Sequence, residues 1–429
     1  MKENSQRGFF AFLSQLNAGV IVISLLMFAL GWQLGHRDFV LQWKNYKPQV
    51  TVSNQSPSQK DANIDFKLFW QTWDLLSQKY IDKKALDPQK LYYGAIAGMV
   101  AAVGDPYTVF LPPEAQKTTK EQLGGAFEGV GIQLGYNKDK RLVVVAPLKG
   151  TPAEKVGVRA GDIILEINGK DSSGLSLPEA VVKIRGPKGS TVKLSLLSDG
   201  DVKPHEVQLT RDTIVVKTVE YEAKTTKSGK KIAYIRLSSF GEKTKEEWDE
   251  AVSKALADAP QGVIVDERNN PGGYLEDSVY VASEFLSGGD IVLQEDSQGN
   301  RQSQGVMRVG KMLKLPLAVL INKGSASASE ILAGAIQDRK RGTLIGEQSF
   351  GKGTIQTTED LPQGTGIHIT TAKWLTPNAH WVHGVGLTPD VKVELTEEQI
   401  KELSTVNGTG QETKIDPQLE KALEVLDNQ

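Results

Sequence analysis

The chain has 429 residues, with 50 Lys plus Arg against 52 Asp plus Glu, a formal net charge of -2 and no cysteine. That length accommodates two or three domains with their own cores. The balanced charge argues against nucleic acid as the principal partner, which draws on a basic excess, and the missing cysteine excludes disulfides, thiolate metal sites and cysteine nucleophiles. Five histidines, His36, His205, His368, His380 and His383, leave few candidates for a serine–histidine mechanism.

Lys2 and Arg7 precede an uncharged run from Ala18 to Leu34 (AGVIVISLLMFALGWQL). Extended back over GFFAFLSQLN, the run is long enough to span a bilayer, while Ala29 and Gly31 offer a small-x-small cleavage pattern. Residues 1–37 therefore read as a transmembrane anchor or a signal peptide. Either places the remainder outside the cytoplasm, anchored in the first case and secreted in the second. Residues 38–63 are polar and read as a spacer. Over 64–117 the sequence predicts a helical region, in which Phe66, Phe69, Trp70, Trp73 and Leu76 recur at helical steps as a core stripe. A second helix is predicted from Pro88 to Val103, with Asp87 and Pro88 as cap and first-turn pair, before GDPYTVFLPP breaks the pattern.

Residues 118–212 are β-rich. RLVVVAPL, DIILEING and TVKLSLLS are short apolar or alternating runs between glycine turns, with the amphipathic helix SLPEAVVKIRGPKGS among them. From 213 to 395 strands alternate with helices (KIAYIRLSSF, KEEWDEAVSKALADA, QGVIVDERNNPGG, LPLAVLIN, SASEILAGAIQD), which implies an α/β core with a largely parallel sheet. Ligands in such sheets sit at the carboxyl ends of strands. Residues 396–429 form a tail containing the amphipathic helix DPQLEKALEVL.

The segment KGSASASEILAGA sits at one of those strand ends, directly after LAVLIN, with three serines at alternate positions. Each serves equally as a helix cap or as a nucleophile that needs small neighbours. His380 and His383 (HWVH) read as loop residues rather than a metal pair, because Pro377 precedes them and glycines follow. A lysine replaces histidine as base if burial lowers its pKa. Lys352 in SFGKGTIQ, between Gly351 and Gly353, fits that description, and Gln356 lies four residues on.

GSASASEILAGAIQD followed by GEQSFGKGTIQ resembles the signature of the carboxyl-terminal processing, or tail-specific, serine peptidases. VDERNNPGG and TPNAHWVHGVGLTPDV resemble further blocks of that family, and GAFEGVGIQLGY with APLKGTPAEKVGVRAGDIILEINGK resembles its inserted PDZ domain. The resemblance implies a multidomain α/β (α+β) fold: a crotonase/ClpP-like α/β protease core with an inserted β-rich PDZ domain, an N-terminal helical region and the preceding transmembrane or signal helix. It implies Ser327 as nucleophile, Lys352 as general base and Gln356 as the residue that orients the lysine. Ala328, with Gly272 or Gly273, would supply the oxyanion amides, and Gly129, Val130, Gly131 and Ile132 would receive a substrate's C-terminal carboxylate. No metal and no cofactor is implied. The partners are protein or peptide substrates with a free C-terminus and, through the N-terminal helix, a membrane; self-association or a regulatory partner stays open.

Glu267 stands where the family usually has an aliphatic residue, a matter of packing rather than of reacting groups. Asp338 reads as structural support paired with Arg339 or Arg341. Arg185 either reaches across to the protease core or is a solvated loop residue. Two alternatives to an exported endopeptidase are a non-catalytic PDZ scaffold of the cell envelope and acyl-ester chemistry of the crotonase type.

Overall fold

The computed structural model describes residues 27–28, 39–44, 47–52, 65–137, 139–148, 150–198, 200–396, 398–399 and 416–429. The Ala18–Leu34 run, and with it the anchor or signal reading, lies outside them apart from Met27 and Phe28; no described helix is long and apolar enough to cross a membrane. The chain divides into two units, Met1–Asp87 and Pro88–Gln429.

In the first unit, β1 (Phe39–Lys44) and β2 (Lys47–Val52) pair antiparallel with Phe39 opposite Val52. This hairpin falls within the stretch read as a spacer; FVLQWK and KPQVTV carry enough β-branched and aromatic residues for it. The helix α1 (Lys67–Lys79) buries none of its residues. Its aromatic stripe is therefore not core, against expectation: Phe66 and Phe69 pack edge-to-face at 6.4 Å and Trp70 and Trp73 at 6.3 Å, and Trp70 stays 58% exposed. Three- and four-residue spacing brings rings together on one helix face whether or not another element covers them.

The second unit begins with α2 (Pro88–Ala101), β3 (Val109–Leu111) and α3 (Pro113–Leu123). Next, β4 (Ala126–Gly129) pairs antiparallel with β11 (Asp212–Val215), a ribbon formed where the chain enters and leaves the β-rich domain. Between them lie β5 (Ile132–Tyr136), β6 (Leu142–Pro147), β7 (Ile163–Ile167), β8 (Lys170–Asp171), α4 (Leu177–Ile184), β9 (Thr191–Leu197) and β10 (His205–Thr210). The sheet order is β10-β9-β7-β6-β5, which leaves β5 at an edge. Alternation in TVKLSLL points Val192, Leu194 and Leu196 into a core shared with Ile164, Ala180 and Leu209.

The larger core follows with β12 (Val219–Thr225), β13 (Lys231–Leu237), α5 (Thr244–Ala257), β14 (Gly262–Asp266), α6 (Leu275–Ala282), β15 (Asp290–Asp296), β16 (Arg301–Gly305), β17 (Leu317–Ile321), α7 (Ala328–Asp338), β18 (Thr343–Gly346), β19 (Thr354–Asp360), β20 (Gly366–Leu375), β21 (Val391–Lys392) and α8 (Pro417–Asp427). Its main sheet runs β12-β13-β14-β17-β18-β21, parallel except for the β12–β13 pair. Every residue of β14 and β17 is buried, because both faces of the sheet are covered. Val263, Val265 and Val319 pack with residues of α5, α6 and α7 on one face. Ile264, Ala318, Leu320 and Ile345 meet Ala422 and Leu426 of α8 on the other. A second sheet, β16-β15-β20-β19 with β3 against β20, lies beside it in the chain order. The adjacent strands β14, β17 and β18 thus deliver three loops, 267–273, 322–327 and 347–353, at their carboxyl ends.

Candidate active site

The loop after β14 is braced on the loop after β17 through main-chain oxygens. Ser325 Oγ donates to Glu267 O at 2.8 Å and Ser329 Oγ donates to Asn270 O at 2.9 Å. Both serines are fully buried, so the two outer hydroxyls of the triple-serine run are structural. The middle one, Ser327, lines a cleft of about 650 Å³ together with Lys352 and Gln356. Ser327 precedes α7 with φ 57° and ψ -115°, a conformation that costs a non-glycine residue on the order of 1–3 kcal/mol and needs outside support.

That support is Glu330, one turn along and fully buried. Its Oε2 accepts from the amides of Ser327 at 2.9 Å and Lys352 at 2.8 Å, and its Oε1 accepts from Gly351 N at 2.7 Å and Ser349 Oγ at 2.5 Å. A single carboxylate therefore ties the serine turn to the lysine loop. The sequence reading missed it, although Ser327 followed three residues later by Glu330 is the spacing of a helix-capping pair.

Lys352 is held at both ends of its peptide unit, since its carbonyl also accepts from Trp374 Nε1 at 2.9 Å. Its Nζ lies 4.9 Å from the centre of the Tyr107 ring. Burial holds the ammonium below the ordinary lysine range, against the opposing pull of Asp105 and Glu330. Gly353 has no room for a side chain: a Cβ would stand 2.8 Å from His383 N and from Trp381 Nε1. No hydrogen bond joins Ser327 Oγ to Lys352 Nζ, nor Lys352 Nζ to Gln356, among the described residues. Instead Gln356 donates its Nε2 to Thr354 Oγ1 at 2.9 Å and Thr370 Oγ1 at 3.1 Å. His368 lines the same cleft; its Nε2 is buried with no hydrogen-bond partner among the described residues, and burial, then Lys352, hold its pKa down.

Of the oxyanion candidates, Gly272 N is engaged, donating to Asn270 Oδ1 at 2.9 Å. The amides of Gly273 and Ala328 donate to no acceptor among the described residues. Gly272 instead serves close approach, for a Cβ there would meet Ser327 Cβ at 2.8 Å and Ala328 N at 2.9 Å. In the β-rich domain Gly129, Val130, Gly131 and Ile132 lead into the edge strand β5; Gly131 has φ +77°, and a Cβ would strike Thr151 at 2.3 Å. Arg185 is half-buried and does not reach the main core. It pairs with Glu121 Oε2 of α3 at 3.0 Å, caps the Phe127 ring at 4.3 Å and lines the Ser327 cleft.

Asp338 is structural, as expected, but its partners differ. Its Oδ2 accepts from Asn378 N at 2.8 Å, because Arg339 turns to Asp290 O and Arg341 to the carbonyls of Phe285, Met312 and Leu315.

The profile of peptidase family S41 matches residues 231–393, that of the PDZ domain residues 118–197, and that of the activating protease CtpB N-terminal domain residues 31–115. The carboxyl-terminal-processing protease of Synechocystis sp. is 38% identical over 378 residues, covering 87% of each chain. The carboxy-terminal processing protease CtpA of Bacillus subtilis is 37% identical over 348 residues, covering 81% of this chain and 72% of its own. A putative S41 protease from Bacteroides fragilis, 17% identical, superposes with a TM-score of 0.56 over 83% of this chain and 96% of its own. Fold and matches together define a serine protease that contains a PDZ domain. The chain belongs to the carboxyl-terminal processing protease family.

Proposed function

We propose that the chain is an exported endopeptidase that captures the free C-terminus of a protein substrate on its PDZ domain and hydrolyses peptide bonds with Ser327 as nucleophile and Lys352 as general base. The observation that carries this reading is the fate of the three serines. Two are buried in main-chain hydrogen bonds, while the strained Ser327 lines the cleft with a lysine whose ammonium burial disfavours.

The chemistry follows from those positions. Neutral Lys352 takes the Ser327 proton as the oxygen attacks the substrate carbonyl carbon. The oxyanion that forms draws on the free amides of Ala328 and Gly273, at a helix N-terminus where partial positive charge favours it. Collapse expels the amine, which takes the proton from Lys352. Water then attacks the acyl-enzyme with Lys352 accepting its proton, and Lys352 returns that proton to Ser327 Oγ as the bond to the acyl carbon breaks and the acid product leaves. Glu330 carries no proton in this cycle; it holds both loops in register.

Substrate capture rests on β5 being an unpaired edge, to which a peptide adds as a further strand with its carboxylate at the Gly129–Ile132 loop. Export rests on the uncharged Ala18–Leu34 run. The test incubates the protein with a folded substrate bearing an apolar free C-terminal tail and follows fragments by mass spectrometry. Cleavage that Ser327→Ala abolishes while the fold persists is the expected result. Tail binding without cleavage by the wild-type chain would favour the scaffold reading.

A further inference from the structure

The loop that carries Gly272 and Gly273 begins with an arginine that the mechanism above does not use. β14 ends in Asp266, and Arg268 folds back onto it, donating Nε to Asp266 Oδ1 at 2.9 Å and Nη2 to Asp266 Oδ2 at 2.6 Å. The guanidinium also reaches α8. Nη1 donates to Asp416 Oδ1 at 3.0 Å and to Gln418 Oε1 at 3.1 Å, and Nη2 stands 2.8 Å from Asp416 Oδ2. All three charged side chains are largely shielded from solvent, so salt and water screen the pairs little. Asp416 is at the same time the N-cap of α8, accepting from the amides of Gln418 and Leu419 at 3.1 Å each.

The loop has two sides. Glu267 O and Asn270 O accept from the Ser325 and Ser329 hydroxyls of the nucleophile turn, while the Arg268 side chain between them points to α8. Asn269 turns the chain there with φ 59°, a left-handed conformation that asparagine tolerates better than most residues. Farther on, Gly272 O accepts from Phe240 N at 2.9 Å. The loop is thus tied to α8 ahead of its turn and to Phe240 behind it. Asp266 alone does not fix it, because Asp266 and Arg268 lie two residues apart and shift as one piece. Asp416 supplies a point outside the loop: α8 is seated on the main sheet through Ala422 and Leu426, on the face opposite α7.

We infer that Arg268 and Asp416 are positioning residues for the reaction, through which the C-terminal helix holds the 267–273 loop so that the Gly273 amide keeps its place beside Ser327. This rests on the Ser327 and oxyanion reading above. A planar guanidinium gripped by two carboxylates through several N–H bonds has little freedom to slide, so the pair fixes direction as well as distance. Releasing it lets the near end of the loop drift, and the amide is no longer aimed where the oxyanion forms.

Asp416→Ser is the telling variant: serine still caps α8, but its side chain is too short to reach Arg268. Its kcat should fall by on the order of tenfold to a hundredfold, as for a misplaced reacting group, with KM and tail-peptide binding near wild type. Asp416→Ala loses the cap as well, so its melt should fall further while its kcat falls no further than that of the serine variant. The specific readout is inhibition by a peptide boronic acid. Its boron takes the Ser327 oxygen, the serine proton passes to Lys352, and a boron-bound hydroxyl comes to lie at the oxyanion position. Its affinity should weaken in Asp416→Ser by the same factor as kcat/KM. The experiment measures peptide hydrolysis, boronate inhibition, tail binding by fluorescence anisotropy and thermal melts for the full chain and both variants. Wild-type kcat in Asp416→Ser would overturn the inference. So would a lower kcat with unchanged boronate affinity, or activity that merely follows the melt from serine to alanine. Failure of the underlying reading looks different: the boronate would then not inhibit the wild-type chain, and Ser327→Ala would keep its activity.

Discussion

Replacing Glu267 with leucine should stabilise the protein, and by more as pH rises. Glu267 lies in the loop behind the nucleophile, fully buried, with neither carboxyl oxygen hydrogen-bonded among the described residues. Burial pushes its pKa well above the usual glutamate range, and the neighbouring anions Asp266 and Glu330 add to the shift. In the unfolded chain the group titrates near 4.3, so above that pH the folded state keeps a proton that the unfolded state releases. Relative stability is then fully present below about pH 4.3 and lost, at about 1.4 kcal/mol per pH unit, until pH passes the folded pKa. An orphaned neutral carboxyl costs a further 1–3 kcal/mol or so at any pH. Leucine of similar size removes both costs, while Glu267→Gln removes the titration and keeps a buried polar group. The assay is denaturant unfolding of the three proteins at intervals between about pH 5 and pH 8. The stability difference between Glu267→Leu and wild type should widen with pH. A difference that stays constant would mean that Glu267 is already ionised and paired in the folded protein, and would refute the reasoning.

Glu330→Gln replaces one acceptor oxygen with an NH₂ group where four donors converge, so it should lower kcat by at least tenfold, about 1.4 kcal/mol of barrier, in a steady-state peptide assay. Gly272→Ala places a methyl 2.7 Å from Ala326 O and 2.8 Å from Ser327 Cβ in a backbone with φ +97°; hydrolysis should fall sharply while binding of tail peptides to the PDZ domain, followed by fluorescence anisotropy, stays near wild type. Amidating the C-terminal carboxylate of a tail peptide should weaken its binding by about 1.5–3 kcal/mol, the worth of a hydrogen bond to a charged group, and calorimetry showing equal affinity would contradict the carboxylate site.

The parts of this architecture that were legible in the sequence are those set by local pattern. GVIVD and LAVLI announce strands covered on both faces; the serine motif falls at the carboxyl end of LAVLI and the lysine motif at that of the neighbouring strand TLIG. What stayed hidden depends on contacts distant in the chain. Thr108 and Thr370 stand 262 residues apart, and nothing local in GDPYT marks the turn as a wall of the lysine site. The engagement of Gly272 by Asn270 is likewise a matter of which way one amide points, a choice two adjacent glycines do not reveal. Glu330 is the instructive case between the two. Its spacing from Ser327 was readable as a cap, but its reach to Ser349, Gly351 and Lys352 was not. The aromatic stripe of α1 shows the opposite failure, a strong periodic signal on a helix none of whose residues is buried among the described residues.

The central claim, that Lys352 is the general base for Ser327, is tested most directly by the pH–rate profile of wild type beside Lys352→Arg. Burial lowers the lysine pKa below its ordinary value of about 10.4, so wild-type kcat/KM should rise with pH through that lowered value as the amine loses its proton. Arginine keeps the charge but does not release its proton at working pH, so the variant should lose about 10²–10⁴ in rate, the worth of general-base catalysis. An arginine variant with near wild-type turnover and an unchanged profile would show that Lys352 acts as a charge alone, and the Ser327–Lys352 mechanism would fall.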